Sequence, residues 1–384
     1  MENTHLDVWI LAGQSNMEGC GLLAEAVGPD ERVSSFTSAG NWETACEPLH
    51  WFWESYTPVH IAMNRRNWPE HDTRTDAEMA ADDRARRVIG AGLGLPFARA
   101  IADATGQPVA LLPCAHGGTS ITEWSQDLAH QGGASLYGAM IDRARRAGDR
   151  QRGILWYQGE SDCSPQDAPL YAGRLDAWIA AARRDLDAPD LPFLAVQLGR
   201  WIGPADDATD RAWDAVRDAL AALPDRVANT AVTGAADLPL VDGIHISANG
   251  LKRLGRRLSR LALAMGSGAD ARGPLVEAVE AGTAPNGLGT VLLRCANVCG
   301  GWRDGQPLLG FETGLPDGGA GAPRIVGAEV VGEDRSDIRL TLEGPISAPL
   351  TLAYATGINP AATVVDEADM PLLAFLPRTV AGAG

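Results

Sequence analysis

Short apolar runs that each break off into a loop, separated by stretches of helical periodicity, constrain this chain more than any other feature. Residues 8–11, 108–113, 153–157 and 191–198 are such runs, and 227–232 is a shorter one. They are apolar nearly throughout rather than alternating, as expected of strands covered on both faces. Between them, Leu95, Ala98, Ile101 and Ala102 repeat at helical spacing before Gly106. Tyr171, Leu175, Trp178, Ala182 and Leu186 mark a helix over 169–187, and Trp213, Val216, Leu220 and Leu223 mark another. The clearest helix spans 247–265. Leu251, Leu254, Leu258, Leu261 and Met265 face inward, while Lys252, Arg253, Arg256, Arg257 and Arg260 face water. Ser247 is the expected N-cap and Gly266 the expected C-cap. Strands alternating with helices predict βαβ units, hence an α/β fold with three α/β/α layers around a mainly parallel central sheet.

After about residue 270 the pattern changes. The chain becomes rich in Gly and Pro, with short runs at 290–293, 325–331, 338–342 and 350–354 separated by turns. That spacing predicts a smaller antiparallel β module. The expected division is 1–268 for the α/β domain and 269–384 for the C-terminal module.

Chemistry-bearing residues cluster where the predicted strands end. Gly13-Gln14-Ser15-Asn16-Met17 follows the first, Cys114-Ala115-His116-Gly117-Gly118-Thr119-Ser120 the second and Gln158-Gly159-Glu160-Ser161-Asp162 the third. Asp242-Gly243-Ile244-His245 opens the final helix. Singly, each is ordinary: a serine helix cap, a Gly-Gly turn, a core amide, a surface Asp–His pair. Together they fall on one edge of one sheet, the edge where open α/β folds bind ligands. Three residues apart, Asp242 can accept the Nδ1–H of His245 and leave Nε2 to take a proton. A serine hydroxyl is a weak nucleophile at neutral pH and needs such a base. The amides of Ser15 and of a glycine in Gly117-Gly118, with the Gln158 side chain, are candidate donors to an oxyanion.

The balance of charges narrows the partners. Among 384 residues the formal charge is −17, which disfavours nucleic acid and anionic membrane surfaces. An apolar content of 45% supplies a core without metal or disulfide staples. Of the six cysteines (Cys20, Cys46, Cys114, Cys163, Cys295, Cys299) only the last two are close, with no second pair at zinc-site spacing. No run is long enough to span a bilayer, and residues 1–7 lack the basic start and apolar core of a leader. As written the chain reads as cytoplasmic; a secreted or periplasmic chain whose leader had been removed would look the same. Residues 27–90 form a polar stretch of weak periodicity carrying Trp42, Trp51, Trp53, Trp68, His50, His60 and His71. A structureless connection of that length is expected to be a lid or binding loop. Its indoles can stack on sugar faces or plug the domain's edge. Its histidines share no face, so no metal site is expected.

The four chemical stretches resemble the conserved blocks of the SGNH-hydrolase superfamily, and more closely its carbohydrate-esterase branch of sialate O-acetylesterases and family 6 acetyl xylan esterases. The resemblance covers most of residues 6–265, including Asp190-Leu191-Pro192-Phe193. It extends loosely to Gly310-Phe311-Glu312 and Leu352-Ala353-Tyr354-Ala355, similar to the β module ending sialate O-acetylesterases. It implies Ser15 as nucleophile, His245 as general base, Asp242 as its orienting acid, and an oxyanion hole from Ser15, Gly118 and Gln158. Gly-Gln-Ser stands where the superfamily at large has Gly-Asp-Ser, and Gln158 where it has asparagine. Glu160 is expected to brace its loop, and Asn16, Trp51, Trp53 and Trp68 to contact substrate. Residues 58–87 are longer than the branch requires. The implied activity is removal of O-acetyl groups from a carbohydrate through an acyl-enzyme, with no metal or organic cofactor. Two other readings remain: an acyl hydrolase of lipase or thioesterase type, and a carbohydrate-binding protein without turnover.

Overall fold

The computed structural model describes residues 6–69, 73–148, 150–204, 206–319 and 321–380. The chain begins with β1 (Asp7–Gly13), the single turn α1 (Ser15–Glu18), β2 (Gly21–Leu22), β3 (Val33–Phe36) and β4 (Trp42–Thr44). Then come α2 (Pro58–Asn67), α3 (Asp76–Arg86), β5 (Ile89–Ala91), α4 (Gly94–Thr105), β6 (Val109–Pro113) and α5 (Leu136–Ala147). The domain closes with β7 (Arg150–Tyr157), α6 (Ala168–Asp185), β8 (Phe193–Gln197), α7 (Asp207–Ala221), α8 (Leu223–Arg226), β9 (Thr230–Gly234) and α9 (Ala248–Ser267).

Seven strands form the central sheet in the order β4-β3-β6-β1-β7-β8-β9. Every pairing is parallel except that of the edge strand β4. β1 is central because Val8 to Ala12 are all apolar and buried, leaving no face for water. Alternation along β1 and β7 then sorts the two faces. Trp9 meets Phe97 of α4 edge-on at 4.9 Å, and Gly153 beside it leaves the space its indole fills. On the other face Trp156 packs on Trp178 of α6 at 4.7 Å. α4 and α9 approach closely because a Cβ on Gly255 would lie 2.6 Å from Leu93 O.

The polar stretch after β1 is not a structureless lid. It holds β3, β4, α2 and α3. Pro58 starts α2 at a position that tolerates its missing N–H, and Thr75 with Glu78 forms a capping box on α3. These helices escaped the periodicity test because α3 buries only Met79, so no apolar stripe exists to read. His71 lies outside the described residues. At the far end, α9 is capped by Ser247, whose side chain accepts from Gly250 N, as expected. It runs past Gly266 and stops at left-handed Gly268.

The remaining strands are β10 (Leu275–Thr283), β11 (Gly289–Ala296), β12 (Phe311–Gly314), β13 (Ile325–Val331), β14 (Asp337–Leu342), β15 (Leu350–Tyr354) and β16 (Phe375–Val380). They form an antiparallel four-stranded sheet, β10-β11-β14-β13, and a three-stranded one, β12-β15-β16. A second core of Val291, Leu293, Trp302, Ile338, Leu340, Leu352 and Tyr354 lies within this part. Ile358 and Met370, however, belong to the core of the α/β layers. All six cysteines are free, Cys46 and Cys299 being exposed. Among the described residues no helix is long and apolar enough to cross a membrane, and no cluster of metal-ligating side chains forms.

Candidate active site

Gly13 ends β1 at φ +133°, where a Cβ would lie 2.2 Å from Tyr157 O, so only glycine fits. Gln14 N then donates to Tyr157 O at 2.9 Å, and the chain turns into α1 with Ser15 as its first residue. The loop before α9 brings His245 to the same rim. Its Nε2 lies 3.0 Å from Ser15 Oγ, and its Nδ1 lies 2.7 Å from Asp242 Oδ2. Asp242 Oδ1 also accepts from the N–H groups of Ile244 and His245, each at 2.8 Å. Although burial opposes ionisation, those amides and the imidazole hold the Asp242 carboxyl below its usual range. The carboxylate fixes the tautomer, so Nε2 presents its lone pair to the serine hydroxyl.

A cleft of about 780 Å³ opens over Ser15 and His245. Gly117 and Gly118 form part of its wall, as do Phe52, Trp53 and Trp68. The amides of Ser15 and Gly118 donate to no backbone or side-chain acceptor among the described residues. Gly118 is left-handed at φ +68°, with no atom within 4 Å of a would-be Cβ.

Other expected residues take different positions. Gln158 is fully buried and is not on the cleft wall. Its Nε2 donates to Thr119 O at 3.0 Å and to Asp162 Oδ2 at 2.6 Å, so both hydrogens are spent tying the second loop to the third. In this arrangement the Gln158 amide is turned away from the cleft over Ser15. Asn16 is buried as well and braces the site rather than facing substrate. Its Nδ2 donates to Glu160 Oε1 at 2.9 Å, and its Oδ1 accepts from Ile246 N at 2.9 Å. It thereby fastens α1 to the loop that carries His245. Glu160 holds the other end of this brace, and burial raises its carboxyl against the pull of the Asn16 amide. Trp53 and Trp68 line the cleft, Trp68 with 48% of its surface exposed. Trp51 does not, because the Arg84 guanidinium covers its ring at 3.9 Å.

One cleft residue, Glu18, and one pairing beside the cleft, His60 with His116, have no counterpart in the sequence reading. Glu18 lines the cleft, and its Oε2 accepts from Gly117 N at 2.9 Å. Burial pushes its carboxyl up to about 7 against the opposing pull of Arg87, the Gly117 amide and His245. His60 on α2 meets His116 Nδ1 to Nδ1 at 3.1 Å beneath Phe52, so one ring donates and the other accepts. The readable signal for Glu18 was its place three residues after Ser15, on the same side of one helical turn. Nothing in sequence pairs His60 with His116.

Comparison with known proteins agrees with this architecture. A family model described as "Carbohydrate esterase, sialic acid-specific acetylesterase" matches residues 5–264. A "probable carbohydrate esterase" of Arabidopsis thaliana is 29% identical over 276 residues, covering 66% of this chain and 88% of that protein. The X-ray structure of that plant protein superposes with a TM-score of 0.52 at 28% identity, over 68% of this chain and 98% of that one. A carbohydrate acetylesterase from Xanthomonas citri is 20% identical with a TM-score of 0.67, covering 96% of this chain and 80% of its own. At that identity the likeness speaks for the fold, and its coverage takes in the C-terminal sheets as well as the α/β layers. With a mainly parallel sheet between helical layers, and a family match over more than half its length, the chain belongs to the sialic acid-specific acetylesterase family of carbohydrate esterases.

Proposed function

We propose that the protein hydrolyses O-acetyl esters of a carbohydrate by a two-step acyl-enzyme route. Ser15 Oγ attacks the acetyl carbonyl as its proton passes to His245 Nε2. Asp242 stabilises the resulting imidazolium. The tetrahedral oxyanion is held by the amides of Ser15 and Gly118, both free to donate. As the bond from the acetyl carbon to the sugar oxygen breaks, His245 gives the proton to that oxygen, which leaves as a hydroxyl, and Ser15 remains acetylated. Water, deprotonated by His245, then attacks the acyl-enzyme; the Ser15 Oγ–acyl bond breaks, His245 returns the proton to Oγ, and acetate is released. The observation that carries this reading is the 3.0 Å contact of Ser15 Oγ with His245 Nε2, continued at 2.7 Å to Asp242. Trp53 and Trp68 give the cleft aromatic walls suited to a sugar face.

The test is acetate release from acetylated xylan, O-acetylated sialic acids and simple sugar acetates, with the Ser15→Ala variant alongside. Release by the native chain and none by Ser15→Ala is the expected result. Faster turnover of octanoyl than of acetyl p-nitrophenyl ester would point to a lipase-like hydrolase instead. Sugar binding without any ester cleavage would point to a binding protein.

A further inference from the structure

The hydrolase reading above leaves unexplained what fixes the glycine loop opposite Ser15. Gly117 and Gly118 have no side chains to pack, and glycine backbone is the freest to move. One contact limits it from the cleft side. Glu18 Oε2 accepts from Gly117 N at 2.9 Å, one residue before the amide assigned to the oxyanion. The other carboxyl oxygen, Oε1, faces Arg87 Nη2 at 3.4 Å. Arg87 follows α3 directly and is itself held on three sides: Nη1 donates to His50 O at 2.7 Å, Nε donates to Ile89 O at 3.0 Å, and Asp83 lies at 3.5 Å. Glu18 has only 14% of its side chain exposed and Arg87 13%, so water competes little for these contacts. The space is also tight, since a Cβ on Gly117 would stand 3.1 Å from Glu18 Oε2 and 3.5 Å from Ser15 Cβ.

We propose that Glu18, anchored by Arg87, is a positioning residue that sets the Gly117–Gly118 peptide so that the Gly118 amide meets the oxyanion. This inference rests on the esterase reading. It gives residues 58–87 a part in the reaction, because the segment delivers Arg87 to the nucleophile's turn. Displacing a reacting geometry by about 1 Å costs on the order of a hundredfold in rate. A tether one residue away is therefore worth a large effect on kcat and little on KM.

The test compares Glu18→Gln, which keeps an acceptor for Gly117 N, with Glu18→Met, which keeps the bulk and removes it. With p-nitrophenyl acetate, Glu18→Met is expected to lose about ten- to a hundredfold in kcat with KM within about twofold, and Glu18→Gln to stay within about threefold of the native rate. The same order is expected for the rate of fluorophosphonate labelling. A Glu18→Met variant with native kcat overturns the proposal, as does a Glu18→Gln variant that loses as much as Glu18→Met. If Glu18→Met does not fold, Arg87→Lys decides: lower kcat at unchanged KM supports the tether, and native kcat overturns it. A native chain with neither turnover nor labelling would instead overturn the esterase reading itself.

Discussion

Ser15 lies 230 residues before His245, which sits three residues after Asp242, and each owes its position to an ordinary local rule. Gly13 permits the sharp exit from β1, and the Asp242 carboxylate folds back on the two amides that follow it. Asp242 is 53% exposed, so its field is partly screened and its main service to His245 is orientation. Asp242→Asn is therefore expected to lower kcat by at least about tenfold yet retain more activity than Ser15→Ala. Steady-state kinetics of the two variants would check this, and equal losses would speak against it. Gln158 separates two roles. A direct oxyanion donor costs about a hundredfold or more in kcat when removed. Because its amide is spent on Thr119 O and Asp162, Gln158→Ala is expected to lower Tm while kcat, measured well below that Tm, falls less than about tenfold. Sequence could bring these residues to one rim but could not say which donors are free, since a hydrogen's partner is fixed only by the packing around it. That is why sequence alone points to Gln158 as an oxyanion donor and to Asn16 as a substrate contact.

Among the elements, those with a buried face were legible and those without were not. β1, β6, β7 and β8 announce themselves as apolar runs, and α9 as a leucine stripe, because the core imposes those patterns. α2 and α3 lie over the cleft; α3 buries only Met79 and α2 buries the polar His60 and Asn64 beside Val59 and Met63, so neither carries an apolar stripe. β16 exposes four of its six residues, and β10 likewise alternates too weakly to read. The same half-exposed character gives α2 and α3 their use, since side chains of both, among them Asn64 and Asp82, line the cleft. Trp68, the residue after α2, presents an open indole there. Trp68→Ala is expected to raise KM for an acetylated oligosaccharide about three- to tenfold, the value of one stacking contact, and to leave kcat for p-nitrophenyl acetate unchanged. Equal effects on both substrates would mean that the indole supports the fold instead.

The molecule as a whole is joined by buried polar clamps between the α/β layers and the C-terminal part. The Gln197 amide pairs in both directions with Ala374, donating at 2.9 Å and accepting at 2.8 Å. Arg257 does not face water as its place on α9 predicts: it is 1% exposed, pairs with Asp237 at 2.6 Å and donates to Asp369 O. Removing Arg257 leaves the buried Asp237 with only the partly exposed Arg253 at 3.0 Å and Asp369 O without its guanidinium donor, so Arg257→Ala is expected to destabilise by about 3 kcal/mol in denaturant unfolding. A loss below about 1 kcal/mol would show the clamp to be dispensable.

Stability against pH follows from groups buried in unfavourable states. Burial lowers His50 and His116 from 6.5 to about 3, and His60 well below 6.5. Below pH 6.5 the unfolded chain takes up protons that these folded rings refuse, so stability falls as pH drops toward 3. Burial raises Glu18 and Glu47 from 4.5 to about 7, with the opposite sign: the folded state keeps protons that the unfolded chain releases between 4.5 and 7. The trends oppose each other above pH 4.5; below it carboxyls held low in the folded state, such as Asp242, Glu123 and Asp369, add to the imidazoles, because protonating them costs stability in the same direction. Tm is therefore expected to change little between pH 4.5 and 6.5 and to drop steeply from 4.5 to 3. A Tm that held steady to pH 3 would contradict this. The decisive experiment for the chemistry is labelling with an acyl-mimicking fluorophosphonate followed by peptide mass mapping. A single adduct on Ser15, formed as acetate release is lost and absent from His245→Ala, is the expected result; full inactivation with the adduct elsewhere, or hydrolysis undiminished by an adduct on Ser15, would contradict it.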